Sequence, residues 1–474
     1  MNNAKKIAKN SAIMIIVESI NKLLSLFLVI VLARYLGDYV FGEYSFVLTM
    51  IMLFNVLAVF GLDTLAVREI SKNIEKTGLY LFNLLLLKVL MGIFSFVVLI
   101  GIIKVIGKST SISCCLYISG FIILVMSLAN SFGSVFNAHE KLELKAFSLL
   151  AAKIFLVILI IFAVFFKKGI ISIILFVLGS EIFRLVLNVL IYKYRLNIFS
   201  FKFDMNLCKS LLKNASSFAL ISAIAIIYFK IDIVMLSLLK NDQVVGWYSA
   251  AYNLVAALIF IAGAYNLAIY PSLSRDAEKS RDILSFRWQK SVKYLFVISI
   301  PITVGTLFLA DRFIVLFYST KYFNSGLALR ILIITLPWIF INSINMQVLY
   351  ALNMQLKASI IMAIGALIDI SLNLYLIPRY SYIGASIATL FAEIVNVMLC
   401  FFVVSSRMRV CINYKDTFVF PFLIAVAMGF IIHFLNFINL FFLVLIGVLA
   451  YVIFLFLFKI LDSEDKRILI SIIR

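Results

Sequence analysis

The sequence predicts an all-α integral membrane protein with about fourteen transmembrane helices: two parallel six-helix lobes, then two extra C-terminal helices. Three observations predict it. First, hydrophobic residues make up 64% of the 474-residue chain and charged residues only 14%, with a mean hydropathy of +1.14. Soluble domains carry roughly 25% charged residues, so lipid is the natural solvent for this chain. Second, long windows contain no charge at all. Third, the sequence answers itself once, at offsets of 204 to 215 residues.

The spans follow in order. A spanning helix needs about 20 apolar residues. Windows 44–62, 109–138, 243–274, 294–310 and 331–356 hold no charge. Segments 11–33, 79–106, 146–166, 169–192, 216–239, 358–377 and 383–404 hold one or a few. Segment 417–458 is too long for a single crossing and carries only His433 as a titratable group. It reads as two helices that turn near Asn436–Asn439, with His433 structural or lipid-facing. The N-terminal stretch "MNNAKKIAKNSAIMIIVESINKLL" reads as an uncleaved first helix, since an apolar signal core would contain Glu18 and Lys22.

Orientation follows from Lys and Arg. Loops on the side of the termini, with the termini themselves, carry 27 of the 42 basic residues. Basic loops stay cytoplasmic, so the chain is expected in the cell membrane with both termini inside. The net charge of +20 is then mostly a topology signal, with anionic membrane lipids as its partner. A nucleic-acid partner is excluded, because no basic soluble module with stacking aromatics exists. The five cysteines (Cys114, Cys115, Cys208, Cys400, Cys411) show no metal spacing.

The repeat aligns "FGEYS" (41–45) with "VGWYS" (245–249). It also aligns "VFNAHEKLELKA" (135–146) with "VLYALNMQLKA" (348–358), and "GIISIILFVLGSEI" (169–182) with "GASIATLFAEI" (384–394). Six helices per repeat is an even number, so the two lobes are expected to run parallel, a transporter architecture with its site between lobes. Lobe one is 1–195, a cytoplasmic linker is 196–214, lobe two is 215–404, and the extra helices and tail are 405–474. The glycine turns near Gly37 and Gly42 and at 241–246 read as repeat-related hairpins. Tyr35, Tyr44, Trp247 and Tyr248 are expected in an interfacial aromatic belt.

Three stretches carry a family resemblance: "LARYLGDYVFGEYSFVLTMIMLFNVLAVFGLDTLAVREISK" (32–72), "VVGWYSAAYNLVAALIFIAGAYNLAIYPSLSR" (244–275) and "ALIDISLNLYLIPRYSYIGASIATLFAEI" (366–394). They resemble the polysaccharide-transporter branch of the MOP superfamily, the Wzx-type O-antigen flippases. The resemblance implies a MATE-like fold and alternating-access translocation of a polyprenyl-pyrophosphate-linked oligosaccharide for cell-surface polysaccharide. A glycan polymerase or glycosyltransferases are the protein partners it suggests.

Such a cargo needs a wet, cationic cavity. Ionisable residues at membrane depth are costly and usually face a bundle interior. On the first helix Ser11, Glu18, Lys22 and Ser25 share one stripe, flanked by Asn21. This stripe is expected to bind substrate, with Lys22 meeting phosphate, Glu18 pairing with it at i,i+4, and Lys230 of helix seven opposite. The alternative is a self-neutralised pair that packs the lobe. Asp232, Asp369 and Glu393 are candidates for proton or sodium coupling, or for interhelical hydrogen bonds. Glu181 and Arg184 at i,i+3 read as a structural pair. Lys88 and Lys153 are expected to snorkel. Pro301 and Pro337 are expected to kink spans nine and ten.

No Walker A sequence and no sizeable acidic loop appears, so neither catalytic chemistry nor a cofactor is expected. The rival readings are a cation-coupled drug exporter of the same superfamily and a membrane polysaccharide polymerase or glycosyltransferase.

Overall fold

The computed structural model describes residues 2–198, 200–408, 413–458 and 460, with side chains from Ile16 onward. The side chain of Ser11 and all of Cys411 therefore lie outside the described residues. The described chain is helical throughout, in the order α1 (Asn2–Val59), α2 (Leu62–Lys72), α3 (Thr77–Ile106), α4 (Thr110–Ala138), α5 (Leu142–Phe165), α6 (Ile170–Arg195) and α7 (Met205–Leu239). There follow α8 (Asp242–Lys279), α9 (Arg281–Tyr318), α10 (Ser325–Ile333), α11 (Thr335–Ala351), α12 (Gln355–Met408), α13 (Phe420–Phe434) and α14 (Leu440–Leu457).

Eleven helices are long and apolar enough to cross a membrane, and a bent pair, α10 with α11, adds a twelfth crossing. Two of the eleven are each two helices joined at one non-helical residue. In α1 the break is Gly37, at φ 75° and ψ 171°, a conformation open to glycine and strained for other residues. In α12 it is Ser381, at φ 56°, three residues beyond Pro378. Counting each half as a crossing gives the fourteen that the apolar windows predict.

Some boundaries differ. Residues 275–293, expected as a loop, are helical on both sides of a break at Ser280, whose φ is −156°. Arg287 Nε donates to Asp276 Oδ2 at 2.5 Å across that turn, which lets two long helices continue past the apolar windows. The span formed by α10 and α11 bends by 40° at the break between them, as expected from Pro337, which cannot donate to the carbonyl of Ile333 four residues earlier; that carbonyl accepts from Thr303 Oγ1 at 3.4 Å instead. Pro301 does lie inside the unbroken helix α9.

The chain divides into two compact units, Met1–Ser249 and Ala250–Arg474. In the first, α4 packs against α1, α2, α3 and α6, and α1 also packs against α5 and α7. Its core joins Leu62, Leu65, Leu84, Phe136, Tyr192 and Leu211. In the second, α9 packs against α10, α11 and α13, and α11 packs against α12. The C-terminal helices are tied to α9 by a shared apolar core and by Tyr451 Oη, which donates to Val297 O at 3.0 Å.

Candidate functional site

Three groups of charged residues in the first unit bear on a site. The first surrounds the turn at Gly37. Asp38 Oδ2 accepts from Gln243 Nε2 at 2.8 Å and from Trp247 Nε1 at 2.9 Å. Asp242, its counterpart 204 residues on, accepts from Lys108 Nζ at 2.9 Å and from Ser237 Oγ at 2.6 Å. The glycines explain the spacing. A Cβ at Gly42 would lie 1.6 Å from Asp242 O, and one at Gly246 would lie 2.0 Å from Asp38 O. Each helix start thus rests on the other's backbone. Sequence reasoning found the glycines and the repeat but not these pairings.

The aromatic belt is corrected here. Tyr44 and Tyr248 are 7% and 1% exposed, so neither sits free at a lipid interface. Tyr248 Oη donates instead to Asp232 Oδ2 at 2.6 Å, holding α8 to α7. Tyr35 donates to Lys168 O at 2.9 Å.

The second group is cationic. Lys22 is exposed and Lys230 half-buried. Their charges repel each other, while Asp232 attracts Lys230. Lys153 of α5 joins them: Glu181 attracts it and Lys22 repels it. The structure therefore brings amines from three helices within electrostatic range. Glu18 is exposed, and Asn21 and Ser25 are half-buried on the same helix, with Ser25 Oγ donating to Asn21 O at 2.7 Å.

The third group lies deeper. Lys88 is fully buried, and its ammonium donates to Asp63 Oδ1 and, at 2.8 Å, to Ser127 O. This overturns the expectation that Lys88 snorkels. Its apolar stem leads inward to a carboxylate at the first turn of α2, where the helix dipole also favours negative charge. Arg184 Nη2 lies 2.6 Å from Glu181 Oε2, and Nη1 donates to Asn130 Oδ1 at 3.0 Å. Asp63 escaped the sequence reading because it stands at the end of an uncharged window. Lys145 escaped it because it was counted among loop charges.

In the second unit Asp369, Asn373, Glu393 and Asn396 are all buried. A Cβ at Gly365 would lie 2.3 Å from Asn396 Nδ2, so the two halves of α12 press this polar set together. His433 is exposed, its ring 5.8 Å from that of Phe308. Among the described residues no cluster of three or more His, Cys, Asp or Glu could hold a metal ion.

A bundle of long apolar helices, with charge held inside its first unit, defines a class of polytopic membrane protein. The comparisons name the family: residues 7–277 match the model of the polysaccharide biosynthesis protein family, and the chain belongs to it. Two Haloferax volcanii proteins are similar to it. The probable flippase AglR is 27% identical over 34% of this chain and 35% of its own. The probable low-salt glycan biosynthesis flippase Agl15 is 22% identical over 43% of this chain and 44% of its own. These matches span well under two thirds of the relatives' length.

The fold is that of the lipid II flippase MurJ in an inward closed conformation, with a TM-score of 0.78, 19% identity, and coverage of 94% of this chain and 98% of that one. An inward-facing multidrug resistance MATE transporter of the MOP superfamily shares it at a TM-score of 0.65, with 15% identity and coverage of 82% and 95%.

Proposed function

We propose that the protein is a flippase that carries a polyprenyl-pyrophosphate-linked oligosaccharide across the cell membrane by alternating access, for cell-surface polysaccharide. The observation that carries this reading is that Lys22 of α1 lies within electrostatic range of Lys153 of α5 and of Lys230 of α7. Amines at membrane depth are costly and persist where they line a wet path. Their sign suits a pyrophosphate. Membership of the polysaccharide biosynthesis protein family and similarity to a probable flippase and a probable glycan biosynthesis flippase of Haloferax support a glycan cargo. Lys22 and Lys230 meet the pyrophosphate, Glu18, Asn21 and Ser25 line the same stripe, and the lipid tail stays in the bilayer. Asp232, Asp369 and Glu393 are the groups for proton or sodium coupling. Both termini face the cytoplasm.

The buried acids of α12 favour a second reading, a cation-coupled small-molecule exporter, since such a cavity is acidic. The two readings part in one experiment. Lys22→Ala with Lys230→Ala abolishes translocation of lipid-linked glycan in reconstituted vesicles and leaves drug export unaffected. Intact glycan translocation in that double variant refutes the cationic site. Drug export that is lost with Asp369→Asn, in a protein that moves no glycan, selects the exporter.

A further inference from the structure

One cleft in the first unit is not used by that mechanism. It has a volume of about 320 Å³ and opens between α2, α4, α5 and α6. Asp63, Asn137, Lys145, Ser148, Arg184 and Asn188 line it. Lys22, Lys153 and Lys230 are not among its lining residues, although Glu18 of the Lys22 stripe acts on Lys145 together with Asp63 and Arg184.

Its hydrogen-bond inventory is unfinished in a particular way. Asn188 is 2% exposed and its Nδ2 donates to Ala129 O at 3.0 Å, which fixes the amide orientation. Its Oδ1 has no partner, and neither has the buried Oδ1 of Asn137. A buried acceptor without a donor is costly. Asp63 uses Oδ1 for both Lys88 and Ser134. On the donor side, Lys145 lines the cleft with an ammonium, and Arg184 has one N–H beyond those committed to Glu181, Asn130 and Met126.

The cleft thus offers acceptors and donors together, and its charged lining is two cations (Lys145, Arg184) against one carboxylate (Asp63). A bare metal cation is disfavoured by the excess positive charge. A bare phosphate, which only accepts, leaves both asparagine oxygens unanswered. A ligand that donates through hydroxyls and also carries negative charge answers every group. The volume, near the low end of the roughly 300–1,000 Å³ of small-ligand pockets, suits a single ring better than a chain.

We propose that this cleft binds one anionic sugar unit, its hydroxyls donating to Asn137, Asn188 and Asp63 and its anionic group meeting Lys145 and Arg184. The sugar class rests on the glycan cargo proposed above. Two sources share this chemistry, the phosphate-bearing sugar at the lipid-linked end and a uronic acid within the glycan.

The test titrates the full-length protein in nanodiscs with glucose 1-phosphate, methyl glucuronide, methyl glucoside and inorganic phosphate, by calorimetry. One of the two anionic sugars saturates, and which one identifies the source. Methyl glucoside and phosphate bind at least about tenfold more weakly, the worth of a lost charged or hydroxyl hydrogen bond. Lys145→Gln lowers affinity for the anionic sugar by about tenfold, and Lys145→Arg restores it. Asn137→Ala weakens charged and uncharged sugars alike, so one variant that fails to fold leaves the other to decide. The proposal is overturned if phosphate alone binds as tightly as the sugars, if no probe binds, or if folded Lys145→Gln and Asn137→Ala proteins bind as the parent does. Translocation that survives any of those results leaves the flippase reading standing, whereas sugar binding without translocation sinks only the flippase.

Discussion

Lys88 sets the terms at the scale of single residues. Its side chain is fully buried, and its partners are Asp63 and the carbonyl of Ser127. Removing one member of a buried pair strands the other, at a cost of about 3–5 kcal/mol. Lys88→Met is therefore expected to lower the thermal midpoint in detergent sharply, and Lys88→Met with Asp63→Leu to recover most of the loss. A double variant no more stable than the single one rules the pairing out.

His139 gives a pH dependence. It lies between α4 and α5, with Nε2 2.9 Å from Thr77 Oγ1. Burial, then the charge of Lys141, lower its pKa below the ordinary 6.5. The unfolded chain then binds the proton more readily than the folded one. Its contribution to stability is full above about pH 6.5 and is lost as pH falls through that value toward the lower folded pKa. Melting curves from roughly pH 7.5 to 5.5 should show a slope that His139→Gln flattens.

What was legible at this scale was the rarity of charge. Ten ionisable residues at membrane depth, Lys88 and Arg184 among them, stand out against apolar neighbours. Their partners did not stand out. Asp63 and Lys145 sit at helix ends, where charge is ordinary, and only the fold turns them toward the interior.

Among the helical elements, the turn at Gly37 and the start of α8 depend on each other. Gly42 and Gly246 leave room for the carbonyls of Asp242 and Asp38, and Asp38 then receives two side-chain donors. The sequence showed this as a repeated "G-x-Y-S" and a pause in hydrophobicity, which fixed a turn and a repeat. It could not show that the two turns meet, because an offset in sequence carries no distance. The contact makes an ordered prediction. Gly246→Val must displace backbone and is expected to cost more stability than Asp38→Ala, which removes hydrogen bonds to a charged group worth about 1.5–3 kcal/mol each. Equal melting points for Gly246→Val and the parent would refute the close approach. The helix ends were the least legible feature. Polar, amphipathic segments such as 275–293 read as loops by hydropathy, yet continue as helix because backbone hydrogen bonds and the Arg287–Asp276 pair do not require an apolar surface.

For the molecule as a whole, composition alone settled the solvent and nearly the number of crossings, since a bilayer admits few backbone solutions. Which side faces the cytoplasm decides how the cleft of the first unit is loaded. The cleft is built from the end of α4, the start of α5 and α2, elements next to the loops that share a side with the termini. Those loops and the termini carry 27 of the 42 basic residues, and an excess of Lys and Arg is retained on the cytoplasmic side. The cleft should therefore open toward the cytoplasm. In a cysteine-free background, Ser280→Cys between α8 and α9 is expected to resist a membrane-impermeant thiol reagent in intact cells and to react in inverted vesicles. Gly169→Cys, before α6, should show the reverse. The opposite labelling at both positions would put the termini outside, turn the cleft to the outer face, and make it a site for releasing a sugar rather than for accepting one.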